Sequence, residues 1–300
     1  MDGPNTYFDQ KVYIAASGST LTKIDGVQGF DADWSLPITE VNANGYGFIE
    51  DVVEGTLEGS VSINKIITSQ QNIFGPLFNS TLTGSLCYGS AGNFDRTFSF
   101  LNGYINSYST SCAVNDLATE EVNISCYGGI MGSGATGVTQ DDENAVYVAK
   151  AGDIDLSIAA VGDPSDRLDL RDAVQSYTVD VNIDRLIVEP GLGSNFKQPM
   201  SDILVQYPIK VETSVELLVS DYQSPKMLDL ICDPDKKNIS IILKNCEQDI
   251  TIRQFEITGS KLISHSSSSS VGNNMTVNLN FIRYVTGIAQ LSDIIQSPSG

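Results

Sequence analysis

Residues 177–183 read Tyr177-Thr178-Val179-Asp180-Val181-Asn182-Ile183, with apolar and polar side chains in strict alternation. Successive side chains of an extended strand point to opposite faces, so this stretch predicts a strand with one apolar and one polar face. The same alternation occurs at Val122–Cys126 and at Val277–Phe281. Glycine, asparagine and serine separate such runs, and no long amphipathic helical pattern is present. The sequence therefore predicts an all-β protein with short helices.

Two stretches predict those short helices. Ser224–Cys232 begins with serine followed by proline, a favourable pair for the N-cap and the first helical position. In Ser69–Asn79 the Gly75-Pro76 pair interrupts the pattern, which limits that helix to about two turns.

Composition and charge exclude several classes of protein. The 300 residues include 17 Lys+Arg and 37 Asp+Glu, a net charge of −20, and 41% are hydrophobic, enough for a packed core. Such a chain does not bind nucleic acid by neutralising phosphates. The five cysteines form no C-x-x-C pair, so we expect reduced thiols rather than disulfides or zinc. No signal peptide or span of ~20 apolar residues is recognisable, which predicts folding in a cytoplasm without membrane insertion.

The chain also resembles itself. Val27–Phe30 matches Val174–Tyr177 at an offset of 147, and Val122–Cys126 matches Val277–Phe281 at an offset of 155. Five landmarks in the same order, with offsets between 147 and 156, predict a tandem duplication with domains 1–140 and 141–300. The alternative is that any two β-rich segments share alternation.

Candidate catalytic and binding motifs are weak. Gly132–Gly137 fits G-x-G-x-x-G, but an acidic, non-amphipathic stretch follows it, so a linker is favoured over a nucleotide site. The single histidine, His265, lies in a serine run that indicates a flexible turn or an edge strand. Asp31 and Asp33 share a strand face, as chance allows in an acidic chain, and Asp233–Asn238 lacks the glycine and glutamate of a calcium loop. We therefore expect no enzyme, no cofactor and no metal site.

The order of elements resembles that of phage tail tube proteins. Three features carry the likeness: the strand that opens each half, the short helix between core strands, and the closing strands. The opening strands are Val27–Asp33 and Val174–Asp180. The closing strands are Phe98–Ser109 with Val122–Gly129, and Phe255–Ser264 with Val277–Phe281. The resemblance covers most of the chain and rests on arrangement rather than on any single motif.

The resemblance implies two tandem β-sandwich or barrel domains whose sheets join side by side in a ring. Six units normally make one ring, so two units per chain imply homotrimeric rings with pseudo-sixfold symmetry. Hexameric rings with one unit outside are the alternative. Stacked rings would form a virion tail tube, assembled in the host cytoplasm, through which DNA passes without specific binding. Tape measure and terminator proteins, and in contractile tails a sheath, would be partners.

In this family the long loop after the opening strand reaches the next ring. By position these loops are Pro37–Glu54 and Glu189–Tyr207. The residues implied to stack rings are Glu40, Asn42, Tyr46, Phe48, Pro190, Phe196 and Lys197.

Other functions remain open at this stage. A tube-initiating or baseplate protein, or the inner tube of a phage-like contractile machine, would share the fold. A virion adhesin or decoration module would bind host-surface sugars through exposed Trp34, Tyr46 or Tyr222. A hydrolase using acidic pairs has no motif in its favour.

Overall fold

The computed structural model describes most of the chain. The described residues are 10–36, 38–42, 49–54, 58–69, 72–88, 96–127, 130–131, 147–149, 154–161, 163–188, 202–219, 235–245, 250–268 and 275–296. They form antiparallel strands and two short helices, which confirms the all-β prediction.

The described part of the first half contains ten strands and one helix. The strands are β1 (Gln10–Ala16), β2 (Thr22–Lys23), β3 (Val27–Ser35), β4 (Ile38–Asn42), β5 (Ile49–Glu54), β6 (Glu58–Ile66), β7 (Leu82–Tyr88), β8 (Arg96–Ala113), β9 (Thr119–Cys126) and β10 (Ile130–Met131). Helix α1 (Phe74–Leu77) lies between β6 and β7.

The second half follows the same plan. Its strands are β11 (Ile154–Ala160), β12 (Asp163–Asp169), β13 (Val174–Asn182), β14 (Arg185–Val188), β15 (Asp202–Val205), β16 (Ile209–Val219), β17 (Lys237–Asn245), β18 (Ile250–Ser268), β19 (Met275–Val285) and β20 (Ile295–Gln296). Helix α2 (Ala289–Ile294) precedes β20.

Sixteen of these strands form one antiparallel sheet, and the two halves pair in the same order. The first half runs β2-β1-β7-β8-β9-β6-β3, and the second runs β12-β11-β17-β18-β19-β16-β13. The C-terminal part of β8 also pairs with β13, which joins the halves into one sheet. No pairing among the described residues closes this sheet, so the predicted barrel is wrong in that respect: the sheet is open at its edges.

Local irregularities recur at matching positions. A bulge at Gln28 in β3 has its counterpart at Gln175 in β13. The long strands β8 and β18 each contain one residue with positive φ, Asn102 (52°) and Gly259 (72°), which are 157 residues apart (259 − 102). Asparagine and glycine are the residues that adopt this left-handed conformation most easily.

The pairing registers refine the match found in the sequence. Val122 lies opposite Tyr108 in β8, and Leu279 lies opposite His265 in β18, again at offsets of 157 (279 − 122 and 265 − 108). The sequence match had placed Val122 against Val277, two residues away. A shift of two leaves every side chain on the same face of a strand, so alternation alone does not detect it.

Three further predictions need correction or fall outside the described residues. The first long loop contains the antiparallel hairpin β4–β5, and the second contains β15, which pairs with β14 just before that loop, so neither loop is irregular chain throughout. Gly75 and Pro76 lie inside α1, because proline in a first helical turn sacrifices no intrahelical hydrogen bond; Asn72 Oδ1 accepts from Gly75 N at 3.0 Å. Ser224–Cys232 lies outside the described residues, and α2 was not predicted.

Candidate functional site

An uninterrupted run of eight strands crosses both halves in the order β3-β6-β9-β8-β13-β16-β19-β18. One face packs on the core and the other, here called the polar face, carries serine, threonine, asparagine and acidic residues at alternate positions. Its side chains include Asp31, Asp33, Ser62, Ser107, Ser109, Glu121, Asn123, Thr178, Asp180, Glu212, Ser214, Glu216, Ser264, Ser266, Asn278 and Asn280.

The polar face is acidic. Its described carboxylates are Asp31, Asp33, Glu58, Glu121, Asp180, Glu212 and Glu216. Alternation places two lysines on the same face, Lys210 and Lys261, and Lys210 Nζ lies 2.6 Å from Glu212 Oε1. The surface therefore has an excess of negative charge, which repels phosphate.

Hydrogen bonds between neighbouring strands order this face, and one of them occurs in both halves. Asn123 Nδ2 donates to Ser107 Oγ at 3.0 Å. At the matching positions, Asn280 Nδ2 donates to Ser264 Oγ at 2.8 Å. Both donor and acceptor pairs are separated by 157 residues (280 − 123 and 264 − 107), so the two halves share side-chain detail as well as strand order.

The intrachain joint is the pairing of β13 with residues 107–113 of β8. Asp180 lies opposite Ser109, whose Oγ donates to Asp180 Oδ1 at 2.5 Å. Val181 lies opposite Tyr108. Beyond the strand, Ile183 N donates to the carbonyl of Asn106 at 2.7 Å. The joint thus combines a continuous backbone ladder with matched side chains.

Arg185 fastens the base of the β14–β15 hairpin to the first half. Its guanidinium donates to the carbonyl of Ile105 at 3.0 Å and to the carbonyl of Phe78 at 3.2 Å. It also lies 5.2 Å from the centre of the Tyr104 ring, within the range of a cation–π interaction. Burial lowers the pKa of Arg185 from its usual value.

A buried ion cluster also links the halves. Lys65 Nζ and Glu120 Oε1 are 3.0 Å apart, and each side chain is 1% exposed. Tyr108 donates to Glu120 Oε2 at 2.9 Å, and Arg253 of the second half approaches Glu120 Oε1 at 4.0 Å. Burial alone would raise the pKa of Glu120, but the charges of Lys65 and Arg253, with the hydrogen bonds, lower it.

The run of eight strands ends in two open edges. No described strand pairs with the outer edge of β3, or with the edge of residues 261–268 of β18 that faces away from β19. Val179 and Val181 of β13 are 0% and 1% exposed, whereas Ala32, the counterpart of Val179 in β3, is exposed. Strand β13 of the second half is therefore buried, whereas its counterpart β3 of the first half is uncovered.

Exposed apolar residues mark both edges. Leu36 and Ile38, just beyond β3, are 40% and 59% exposed, and Ile263 of β18 is 55% exposed. The residue matching Leu36 in the second half is Ile183 (183 − 36 = 147), which is 2% exposed. The first half therefore exposes an apolar position that the intrachain joint buries.

The residues implied to stack rings are only partly described. Glu40 and Asn42 lie on β4, opposite Val52 and Ile49 of β5. Tyr46, Phe48, Pro190, Phe196 and Lys197 lie outside the described residues. The sequence reasoning missed Leu186 and Leu204, which lie opposite each other on the second hairpin and are 49% and 53% exposed. The sequence does not show that two leucines on separate short strands lie opposite each other, because this depends on the register of the strands.

Other candidates take defined places. His265 is exposed on β18, which confirms the edge-strand reading of the serine run. Trp34, expected to be exposed, is half-buried and packs edge-on against Phe98 with 5.1 Å between ring centres. Gly132–Gly137, Asp233 and Tyr222 lie outside the described residues.

Cysteine, metal and membrane features add little. Cys87, Cys112 and Cys126 are buried free thiols, and burial raises the pKa of Cys112 to about 11 and that of Cys126 to about 12. Within the described ranges no group of three His, Cys, Asp or Glu side chains could hold a metal ion. None of the described helices is long and apolar enough to cross a membrane.

Comparisons with known proteins give no family assignment: no protein-family model matches this chain, and no curated protein matches it. The function is therefore argued from the sheet and its edges.

Proposed function

We propose that this chain is a structural subunit of a phage-type tail tube, in which three copies close a ring and rings stack into a hollow conduit. The observation that carries the proposal is the run of eight strands with a polar, acidic face and two open edges. We interpret the chain as a tandem duplication, an interpretation supported by the repeated strand order, the repeated bulge and the repeated Asn–Ser hydrogen bond.

The intrachain joint provides the template for a joint between copies. Its strand β13 corresponds to β3, by the offset of 147, and its strand β8 corresponds to β18, by the offset of 157. The edge of β3 therefore matches the open edge of residues 261–268. We call the register of the intrachain joint, applied to the joint between copies, the copied register. In it Asp33 lies opposite Ser266, which repeats the Asp180–Ser109 pair (180 − 147 = 33 and 109 + 157 = 266).

This contact is head-to-tail, because the β3 edge of one copy meets the β18 edge of the next. Head-to-tail contacts either close into rings or propagate as filaments. The resemblance to tail tube proteins implies six units per ring, so three chains of two halves each would close it. The ring then contains three times eight strands, a 24-stranded barrel with no unpaired edge.

In the proposed ring the polar face lines the channel, because the opposite face packs on the core of each subunit. An acidic lining repels DNA phosphates and lets DNA move without sticking. The hairpins β4–β5 and β14–β15 stand outside the main sheet as separate two-stranded sheets. They are the elements we assign to ring stacking, and the other tail proteins named by the resemblance remain the proposed partners.

Mass photometry and negative-stain microscopy across a concentration series test the proposal. The expected particles have three times the chain mass, are ring-shaped with a central hole, and stack at high concentration. Monomers at every concentration, or closed dimers without a hole, would contradict it.

A further inference from the structure

We infer that the joint between copies is gated by protonation of His265, so that rings form when this imidazole is neutral and open when it is charged. This inference rests on the proposed ring. The resemblance to tail tube proteins implies no such regulation of the ring joint. The only histidine in the chain, His265, lies on the open edge of β18.

The copied register determines what His265 meets. His265 corresponds to Tyr108 (265 − 157 = 108), which lies opposite Val181 in the intrachain joint and is 1% exposed. The residue corresponding to Val181 is Trp34 (181 − 147 = 34), so His265 lies opposite Trp34 of the neighbouring copy. A side chain that is exposed in the free chain thereby takes a position that the intrachain joint buries.

The groups around this position oppose a positive charge. Tyr108 is neutral and donates to Glu120, but the residue corresponding to Glu120 on β19 is Val277 (120 + 157 = 277). Leu279 lies directly opposite His265. The carboxylate that accepts in the intrachain joint is therefore missing from the matching place on β19. Among the described residues of β18, β19 and the neighbouring β3, no carboxylate faces an imidazolium in this register, so its desolvation there is costly.

The neighbouring copy brings no compensating acid to this face of its β3. Phe30 and Trp34 lie on the core-facing side, whereas Asp31 and Asp33 lie on the polar face. The position of Arg253, the cation near Tyr108 in the intrachain joint, corresponds to Arg96 of the neighbouring copy (253 − 157 = 96).

Histidine is the side chain whose charge ordinarily changes between pH 5 and pH 8. If only the neutral form joins, the association constant of each joint falls between pH 8 and pH 5, by at most tenfold per pH unit. Acids on the polar face lose charge over part of the same pH range, and this loss favours assembly. The ratio of the wild-type association constants at pH 8 and pH 5 therefore does not by itself measure the contribution of His265. Substitution of His265 isolates its contribution.

The experiment measures ring assembly of the full chain at pH 8 and pH 5 for the wild type, His265→Tyr and His265→Gln. Tyrosine is the residue that the chain itself uses at the matching position, and glutamine keeps a neutral polar group if tyrosine prevents folding. Each protein is compared with itself, so different absolute affinities at pH 8 do not matter. We expect the wild-type ratio of association constants to exceed the variant ratios by on the order of tenfold or more per joint.

The outcomes separate this inference from the proposed function. Wild-type rings whose pH response equals that of both variants would overturn the role of His265 and leave the ring intact. A wild type that forms no ring at either pH would overturn the proposed function, and the gating with it. A pH response that both substitutions abolish supports the inference.

Discussion

A carboxylate placed opposite Asp33 tests the register of the joint between copies. In the copied register Ser266 of one chain faces Asp33 of the next, as Ser109 faces Asp180 within the chain. Ser266→Asp replaces a hydroxyl donor with a second negative charge. Directly opposite side chains are about 5 Å apart at Cβ, a distance at which two unit charges repel by about 1 kcal/mol in water and about 3 kcal/mol at an effective dielectric constant of 20.

The expected result is an association constant about 5- to 100-fold weaker per joint, measured by analytical ultracentrifugation at low salt. High salt should recover part of the loss because exposed charges are screened. The double variant Asp33→Ser with Ser266→Asp exchanges the two side chains across the joint and should restore assembly. Ser292→Asp, on an exposed position of α2, adds the same charge away from both edges and serves as the control.

Two results would refute the reasoning. If Ser266→Asp assembles as well as Ser292→Asp, the two positions do not meet in the ring. If Ser266→Asp weakens assembly but the exchange variant does not recover it, the edge is involved in a different register.

Three further predictions concern the chain itself. Glu120→Gln leaves Lys65 buried without its carboxylate, and should lower the free energy of unfolding by about 3–5 kcal/mol in urea titration; a loss below about 1 kcal/mol would contradict the Lys65–Glu120 pair. Because the folded pKa of Glu120 is lowered, the stability that it contributes is present above its unfolded pKa and is lost as pH falls through the folded value, so wild-type stability should decline more steeply than that of Glu120→Gln on acidification below about pH 4.5. Arg185→Ala leaves two carbonyls without their donor and should lower the free energy of unfolding by about 2–3 kcal/mol. The loss should appear as a lower midpoint of thermal unfolding, and an unchanged midpoint would contradict it. Cys126, whose pKa burial raises to about 12, should resist alkylation in native protein at pH 8 and react after unfolding, as mapped by peptide mass spectrometry.

Alternation predicted the strands well where both faces differ. Residues 177–183 and 122–126 lie on or next to β13 and β9 as expected, because a half-buried strand requires an apolar residue at every second position. The offsets of the repeat were less accurate at β19, since a shift of two positions preserves that pattern. The four-residue β15 is too short to show a reliable period, so the sequence predicts a loop where β15 pairs with β14.

The candidate site was only partly predictable. The sequence showed an excess of acidic residues, but it did not indicate which of them share a surface, since that depends on the pairing of strands far apart in the chain. The ion pair between Lys65 and Glu120 gave no signal, because charged residues on strands normally predict exposure. His265 is an ordinary exposed residue in the sequence, and only the strand register shows that it corresponds to Tyr108 of the first half.

The intrachain joint changes the kinetics of assembly in the proposed ring. Six separate halves would need five productive encounters before a ring could close, whereas three fused chains need two. Within a chain the two halves are held at an effective concentration on the order of millimolar, far above that of free protein during synthesis. The fused joint also fixes the rotation between neighbouring halves before any second chain arrives. A chain that carries one finished joint therefore supplies a template for the curvature of the whole ring.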